Sequence, residues 1–153
     1  MSTPEERLAE LGLSVPEVAK PVAAYIPAVR SGNHVFTSGQ LPMREGQLIT
    51  TGKVGGEVTP EEAVECAKQC ALNAIAAVRA EVGELSKVKR IVKVVAFIAS
   101  TPDFTGQPGV ANGASELFGE VFGDAGRHAR AAVGVASLPA GAAVEVDAVV
   151  ELK

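Results

Sequence analysis

The stretch opening Thr59-Pro60-Glu61-Glu62 constrains this chain more than any other. Thr59 can cap a first helical turn, Pro60 suits a position whose N–H lacks a helical partner, and Glu62 can reach back to complete a capping box. The helix that follows puts Ala63, Ala67, Cys70, Ala71, Ala74 and Val78 on one stripe and ends near Gly83. Alanine projects little beyond the backbone, so such a helix can lie close against a sheet. A second box, Thr3 with Pro4 and Glu6, predicts a short helix over residues 3–11 ended by Gly12. A third helix is predicted from about Gly109 to Phe122, with Val110, Ala114, Leu117, Phe118 and Val121 on its apolar face and Gly123 at its C-terminal cap.

The remaining periodic segments read as strands. Val88–Ala99 is β-branched and nearly uncharged beyond Lys93, the pattern of a strand buried along most of its length. Tyr25–Val29 and His34–Ser38 flank the turn signal Gly32-Asn33, and Gln47–Thr50 follows a loop at Met43–Gly46. The stretch 13–24, with Pro16 and Pro21, reads as irregular. Two strands close the chain, about Arg130–Ser137 and Ala143–Leu152, joined by Leu138-Pro139-Ala140-Gly141. This order predicts a two-layer α+β fold, with about six strands in a mixed sheet and two main helices on one face. The 153 residues read as one domain, residues 1–153, of which 1–15 form an N-terminal extension with a short helix.

Composition narrows the function classes. Hydrophobic residues make up 47% and charged residues 21%, enough apolar matter for a packed core. The net charge of −4 argues against a phosphate-backbone binder, and five Phe with one Tyr and no Trp make a poor base-stacking platform. Solvated charges at a strand entry account for the basic cluster Lys87, Lys89, Arg90 and Lys93. No run reaches the ~18 apolar residues of a membrane span. The start MSTPEERLAEL lacks the basic region and apolar core of an export signal, and there are two cysteines, so a reducing cytoplasm is expected.

Side chains alternate across a strand. In the last strand Val144, Val146, Ala148, Val150 and Leu152 share one face, and Glu145, Asp147, Val149 and Glu151 the other. In the strand before it, Val133 and Val135 oppose Arg130, Ala132, Gly134 and Ala136. If the valine faces meet the helices and the two strands are neighbours, Arg130 and Glu145 share the far face. Two readings stay open here. The pair is a solvated cross-strand ion pair, or it is an anion clamp and a water-activating base at the rim of an oligomer interface.

Three segments resemble one family. They are Phe36-Thr37-Ser38-Gly39-Gln40-Leu41-Pro42, then Ala129-Arg130-Ala131-Ala132-Val133-Gly134-Val135-Ala136-Ser137-Leu138-Pro139, then Val144-Glu145-Val146-Asp147-Ala148. Together they are similar to the Rid (YjgF, L-PSP endoribonuclease-like) family, over roughly residues 20–152. The resemblance implies a chorismate-mutase-like fold and a homotrimer with its ligand clefts between subunits. It implies hydrolysis of 2-aminoacrylate-type enamines and imines to 2-keto acids and ammonia, with no cofactor and no metal. Carried over, Arg130 matches the arginine that holds the substrate carboxylate, and Glu145 the acid that orients or deprotonates the attacking water. Tyr25 matches a cleft tyrosine, Ser38 and Gly39 the cleft wall, and Asn112 an asparagine at the start of the last helix. The chain departs from the pattern at Ala23-Ala24, where archetypal members carry Gly-Pro, and at Ala132, where they often carry cysteine.

Other signals are read as structural. Cys66 and Cys70 lie four apart on the first long helix and read as buried thiols rather than half of a metal site. The glycines at 119, 123 and 126 and those at 52, 55 and 56 lack the spacing of a phosphate loop. Ser38 lacks a nucleophile-elbow setting. His128, just before Arg130 on the same side of the strand, reads as a surface or interface histidine, with a residue lining the cleft as the alternative. Three functions remain: a deaminase of carboxylate-bearing imines, a non-catalytic module binding 2-keto acids, and, less favoured by the charge, an endoribonuclease or translation inhibitor.

Overall fold

The computed structural model describes residues 2–18 and 24–153. Pro21 and Ala23, which figured in the irregular stretch and in the departure from the family pattern, lie outside the described residues. The chain runs α1 (Pro4–Glu10), β1 (Ala28–Ser31), β2 (His34–Thr37), β3 (Met43–Arg44), β4 (Gln47–Leu48), α2 (Pro60–Val82), β5 (Val88–Ala99), α3 (Gln107–Phe122), β6 (Ala129–Val135) and β7 (Val144–Leu152). Both predicted capping boxes form. Thr3 and Thr59 each accept from the backbone of the glutamate three residues on, and each glutamate accepts from its threonine's N–H.

The main sheet has five strands in the order β1-β2-β7-β5-β6. β6 runs parallel to β5, and the other neighbours are antiparallel. The sixth predicted strand, at Gln47, lies outside this sheet. Glu45 and Gly46 both have positive φ, so the chain folds straight back and β4 pairs with β3 as a separate ribbon. That ribbon is pinned to α2. The Asn73 amide donates to the carbonyls of Leu41 and Met43, both at 3.0 Å, and Arg44 Nε donates to Gln69 Oε1 at 3.1 Å.

The alanine stripe of α2 is buried, as are Val110, Ala114, Leu117, Phe118 and Val121 of α3. Both helices cover the sheet face formed by Val35, Ile91, Val94, Ile98, Val144, Val146, Ala148 and Val150. The short α1 is tied down: Leu8 is buried, Arg7 Nη1 donates to the Val121 carbonyl at 3.2 Å, and Glu5 accepts from the Leu85 N–H at 3.0 Å. The opposite sheet face leaves Val29, Phe36 and Val133 between 43% and 49% exposed.

Two expectations about the last strands fail. β6 and β7 are not neighbours; they flank β5 on either side. A parallel partner requires a crossover, and α3 carries the chain from β5 over to β6 on the outer side. The valine face of β6 also points away from the helices. Arg130, Ala132 and Gly134 pair with Val94, Ala96 and Ile98, which are buried under the helices, whereas Val133 pairs with Phe97 on the far face. The reason is steric. A Cβ on Gly134 would lie 2.8 Å from the Gln107 amide nitrogen and from Ser100 Oγ, so only the small-residue face of β6 fits beneath the start of α3.

Candidate functional site

The chemistry-bearing residues gather in two separate clusters. The first is built by β6 and α3. Arg130 reaches from the edge strand to the helix, where Asn112 and Ser115 stand one turn apart. Arg130 Nη1 donates to Asn112 Oδ1 at 2.7 Å and to Ser115 Oγ at 3.2 Å, and Nη2 points at the Pro108 carbonyl at 3.4 Å. All three acceptors are neutral. Among the described residues the one ion pair is Lys89–Glu151, so the Arg130 charge has no carboxylate partner among them. Both N–H groups of Nη1 are spent, Nη2 spends one of its two on Pro108, and Nε has no partner among the described residues. The Nε–H and the remaining N–H of Nη2 are therefore left to grip an anion.

The second cluster lies where β7 passes the end of β2. Gln40 bridges to Val146 through a pair of backbone bonds of 2.8 and 3.0 Å, which sets Gly39 beside Glu145. A Cβ at residue 39 would collide with the Glu145 carboxylate and displace it, so glycine lets that carboxylate lie against the backbone. Ser38 commits its hydroxyl to the Ile26 carbonyl at 2.6 Å and its N–H to the Pro27 carbonyl at 2.7 Å, fastening the segment that carries Tyr25. Tyr25 and Gly39 line a cavity of about 920 Å³ that extends toward Arg44 and Glu45; Arg130, Glu145 and Asn112 do not line it. Burial pushes the Glu145 carboxyl above the usual carboxylate range, and the Asp147 charge adds to the shift. Asp147 is raised by the same burial, with Lys93 opposing.

The predicted residues thus fall into two groups, Arg130 with Asn112, and Glu145 with Gly39, Ser38 and Tyr25. Arg130 faces the helices, and Glu145, paired with Phe97, faces the other way with β5 between them. The shared far face expected from the sequence does not exist within one chain.

Two further residues belong to the first cluster. Ser115 joins Arg130 to His128, whose Nε2 lies 2.8 Å from Ser115 Oγ and whose Nδ1 lies 2.6 Å from the Gly126 carbonyl. The signal was present in the sequence. Ser115 follows Asn112 by one turn, and His128 precedes Arg130 by one strand repeat, so all four side chains converge. Cys66 and Cys70 are buried, as expected. Burial drives the Cys66 thiol up to about 11 and Cys70 well above its ordinary value.

The family model described as "YjgF/chorismate mutase-like, putative endoribonuclease" matches residues 5–152. The chain is 49% identical over 146 residues to Protein TCP17 of Trypanosoma cruzi, covering 95% of this chain and 91% of that protein. It is 34% identical over 141 residues to a 2-iminobutanoate/2-iminopropanoate deaminase of Dermatophagoides farinae, covering 92% of this chain and 95% of the relative. A crystal structure titled "putative endoribonuclease", from Shewanella oneidensis, superposes with a TM-score of 0.96 at 35% identity, covering 99% of this chain and all of that one. Sequence and architecture agree: the chain belongs to the Rid (YjgF-like) family and has its chorismate-mutase-like α+β fold.

Proposed function

We propose that the protein hydrolyses carboxylate-bearing imines and enamines to 2-keto acids and ammonia, in a cleft where Arg130 of one copy meets Glu145 of the next copy in a homotrimer. One observation carries the reading. Arg130 and Glu145 have no opposite charge to pair with among the described residues of their own chain, and they lie on opposite sides of its sheet. Such a pair can serve one substrate only across an interface between copies. The exposed Val29, Phe36 and Val133 on the far face supply apolar surface for that interface. The deaminase relative from Dermatophagoides farinae supports the reaction class.

The chemistry asks little beyond positioning. The free N–H groups of Arg130 hold the substrate carboxylate. An enamine first takes a proton on its β-carbon, and an imine takes one on its nitrogen, so both become the iminium. Water then adds to the iminium carbon; its oxygen forms the new C–O bond, and the ionised Glu145 carboxylate takes a proton. The nitrogen, now an amine, takes that proton from Glu145 and leaves as ammonia while the hydroxyl oxygen gives its proton to the Glu145 carboxylate and the C=O bond closes. One water enters and one ammonia departs per turnover. A site of this kind has work in a reducing cytoplasm, where enzymes that form such imines release them.

The test couples the protein to an amino-acid oxidase that generates imines and follows imine decay. Wild type is expected to speed the decay. Arg130→Ala is expected to lower kcat/KM at least about 100-fold, the weight of a charged two-point contact of roughly 3 kcal/mol. Glu145→Gln is expected to keep ligand binding and lose turnover. A wild type that binds 2-oxobutyrate and leaves imine decay unchanged overturns the catalytic reading in favour of a binding module.

A further inference from the structure

Arg130 sits on an edge strand, and among the described residues α3 alone holds its guanidinium. Of its three contacts, the one to Ser115 carries a condition that the other two lack. Asn112 Oδ1 and the Pro108 carbonyl are acceptors whatever surrounds them. A hydroxyl presents a lone pair in a fixed direction only when its hydrogen is drawn elsewhere. His128 Nε2, 2.8 Å from Ser115 Oγ, can draw it, provided that Nε2 carries no proton.

The backbone sets that condition. Nδ1 of His128 is 2.6 Å from the Gly126 carbonyl, which can only accept, so Nδ1 carries a proton, and in the neutral ring Nε2 keeps its lone pair. Gly126 is itself fixed, since a Cβ there would collide with the Phe118 carbonyl of α3. The Phe118 ring meets the His128 ring edge-on at 5.8 Å and holds its plane. The result is a one-way chain of donors: Arg130 Nη1–H to Ser115 Oγ, Ser115 Oγ–H to His128 Nε2, and His128 Nδ1–H to the Gly126 carbonyl.

We infer that His128, acting through Ser115, is a positioning residue that orients the Arg130 guanidinium for carboxylate capture. The inference rests on the proposed role of Arg130 in holding substrate. It assigns His128 no contact with substrate and no proton transfer during turnover. Fixing Nη1 on α3 turns the free N–H groups of Nε and Nη2 outward in one orientation. Losing the chain leaves them to swing on a long, flexible side chain, which costs affinity rather than chemistry.

Ser115→Ala and His128→Leu are compared with wild type in the imine assay and in 2-oxobutyrate binding, with thermal melts to monitor folding. Both variants are expected to raise KM and weaken 2-oxobutyrate about five- to tenfold while kcat changes less than about twofold. His128→Gln, whose amide oxygen can replace Nε2 as acceptor, is expected to recover most of the loss. Unchanged KM, or a loss confined to kcat, overturns the inference. If His128→Leu fails to fold, Ser115→Ala carries the same test. A reading independent of turnover comes from the imidazole nitrogen spectrum. His128 is expected as the Nδ1–H tautomer in wild type, and an Nε2–H tautomer overturns the inference even if the enzyme is active. A wild type with the Nδ1–H tautomer but neither activity nor 2-oxobutyrate binding overturns the proposed function instead, and this inference with it, because Arg130 would then hold no substrate.

Discussion

At the scale of single residues, what matters is where charge and protons are held. Arg130 is gripped by neutral acceptors, which leave its charge uncompensated, while Glu145 pays a desolvation penalty beside Gly39. Both were legible in the sequence because strand alternation isolates them from apolar neighbours. Ser115 and His128 were harder to find, because their roles depend on a backbone carbonyl that no residue type announces. The cysteines give a sharp test at this scale. A thiol reacts as thiolate, and raising its pKa lowers the thiolate fraction at every pH below that value. With Cys66 pushed to about 11, about one molecule in a thousand carries the thiolate at about pH 8. Native protein is therefore expected to resist a thiol reagent at that pH and to react at both cysteines once unfolded in guanidinium. Rapid labelling of folded protein would mean that the helix–sheet seam opens readily.

At the scale of elements, the helices were read closely because caps and apolar stripes are local signals. Thr59 started α2 where expected, and Gly123 ended α3. The start of α3 came two residues early, at Gln107. β1 began later than predicted, after Pro27, which lacks the N–H that a strand ladder needs. The strand neighbours were not legible. Alternation tells which side chains share a face, but β6 has small or apolar residues on both faces, and size alone favoured the valines as core. The close approach of α3 reversed that choice at Gly134. Another close approach joins the two long helices, where a Cβ on Gly113 would run into the Val64 carbonyl. Gly119, in the same helix, has open space around it. Gly119→Ala is expected to stabilise the fold by up to about 1 kcal/mol through helix propensity. Gly113→Ala gains the same propensity but must displace backbone, and a net loss of about 1–2 kcal/mol is expected. Urea unfolding of the two variants reads the split in sign; a stabilised Gly113→Ala would contradict the close packing of α2 on α3.

At the scale of the whole molecule, the sheet has one face sealed by helices and another carrying exposed Val29, Phe36 and Val133. Alternation predicts that the small face with Ala132 and Gly134 needs cover from another copy; in the structure α3 covers those residues and the uncovered face carries Val133 instead, while the trimer is what the family resemblance implies. The sequence did not show that the two charged residues lie on opposite sides of one chain, since that depends on which side of β5 each strand joins. The central claim is therefore about assembly: each catalytic cleft takes its arginine from one copy and its acid from another. Co-expressing Arg130→Ala chains with Glu145→Gln chains, and purifying mixed assemblies by separate tags, tests this most directly. Each variant alone is expected to be inactive. In every mixed closed trimer one of the three clefts joins an intact Arg130 to an intact Glu145, so the purified mixed assemblies are expected to regain about a third of wild-type imine hydrolysis. Mixed assemblies as inactive as either parent would contradict the account.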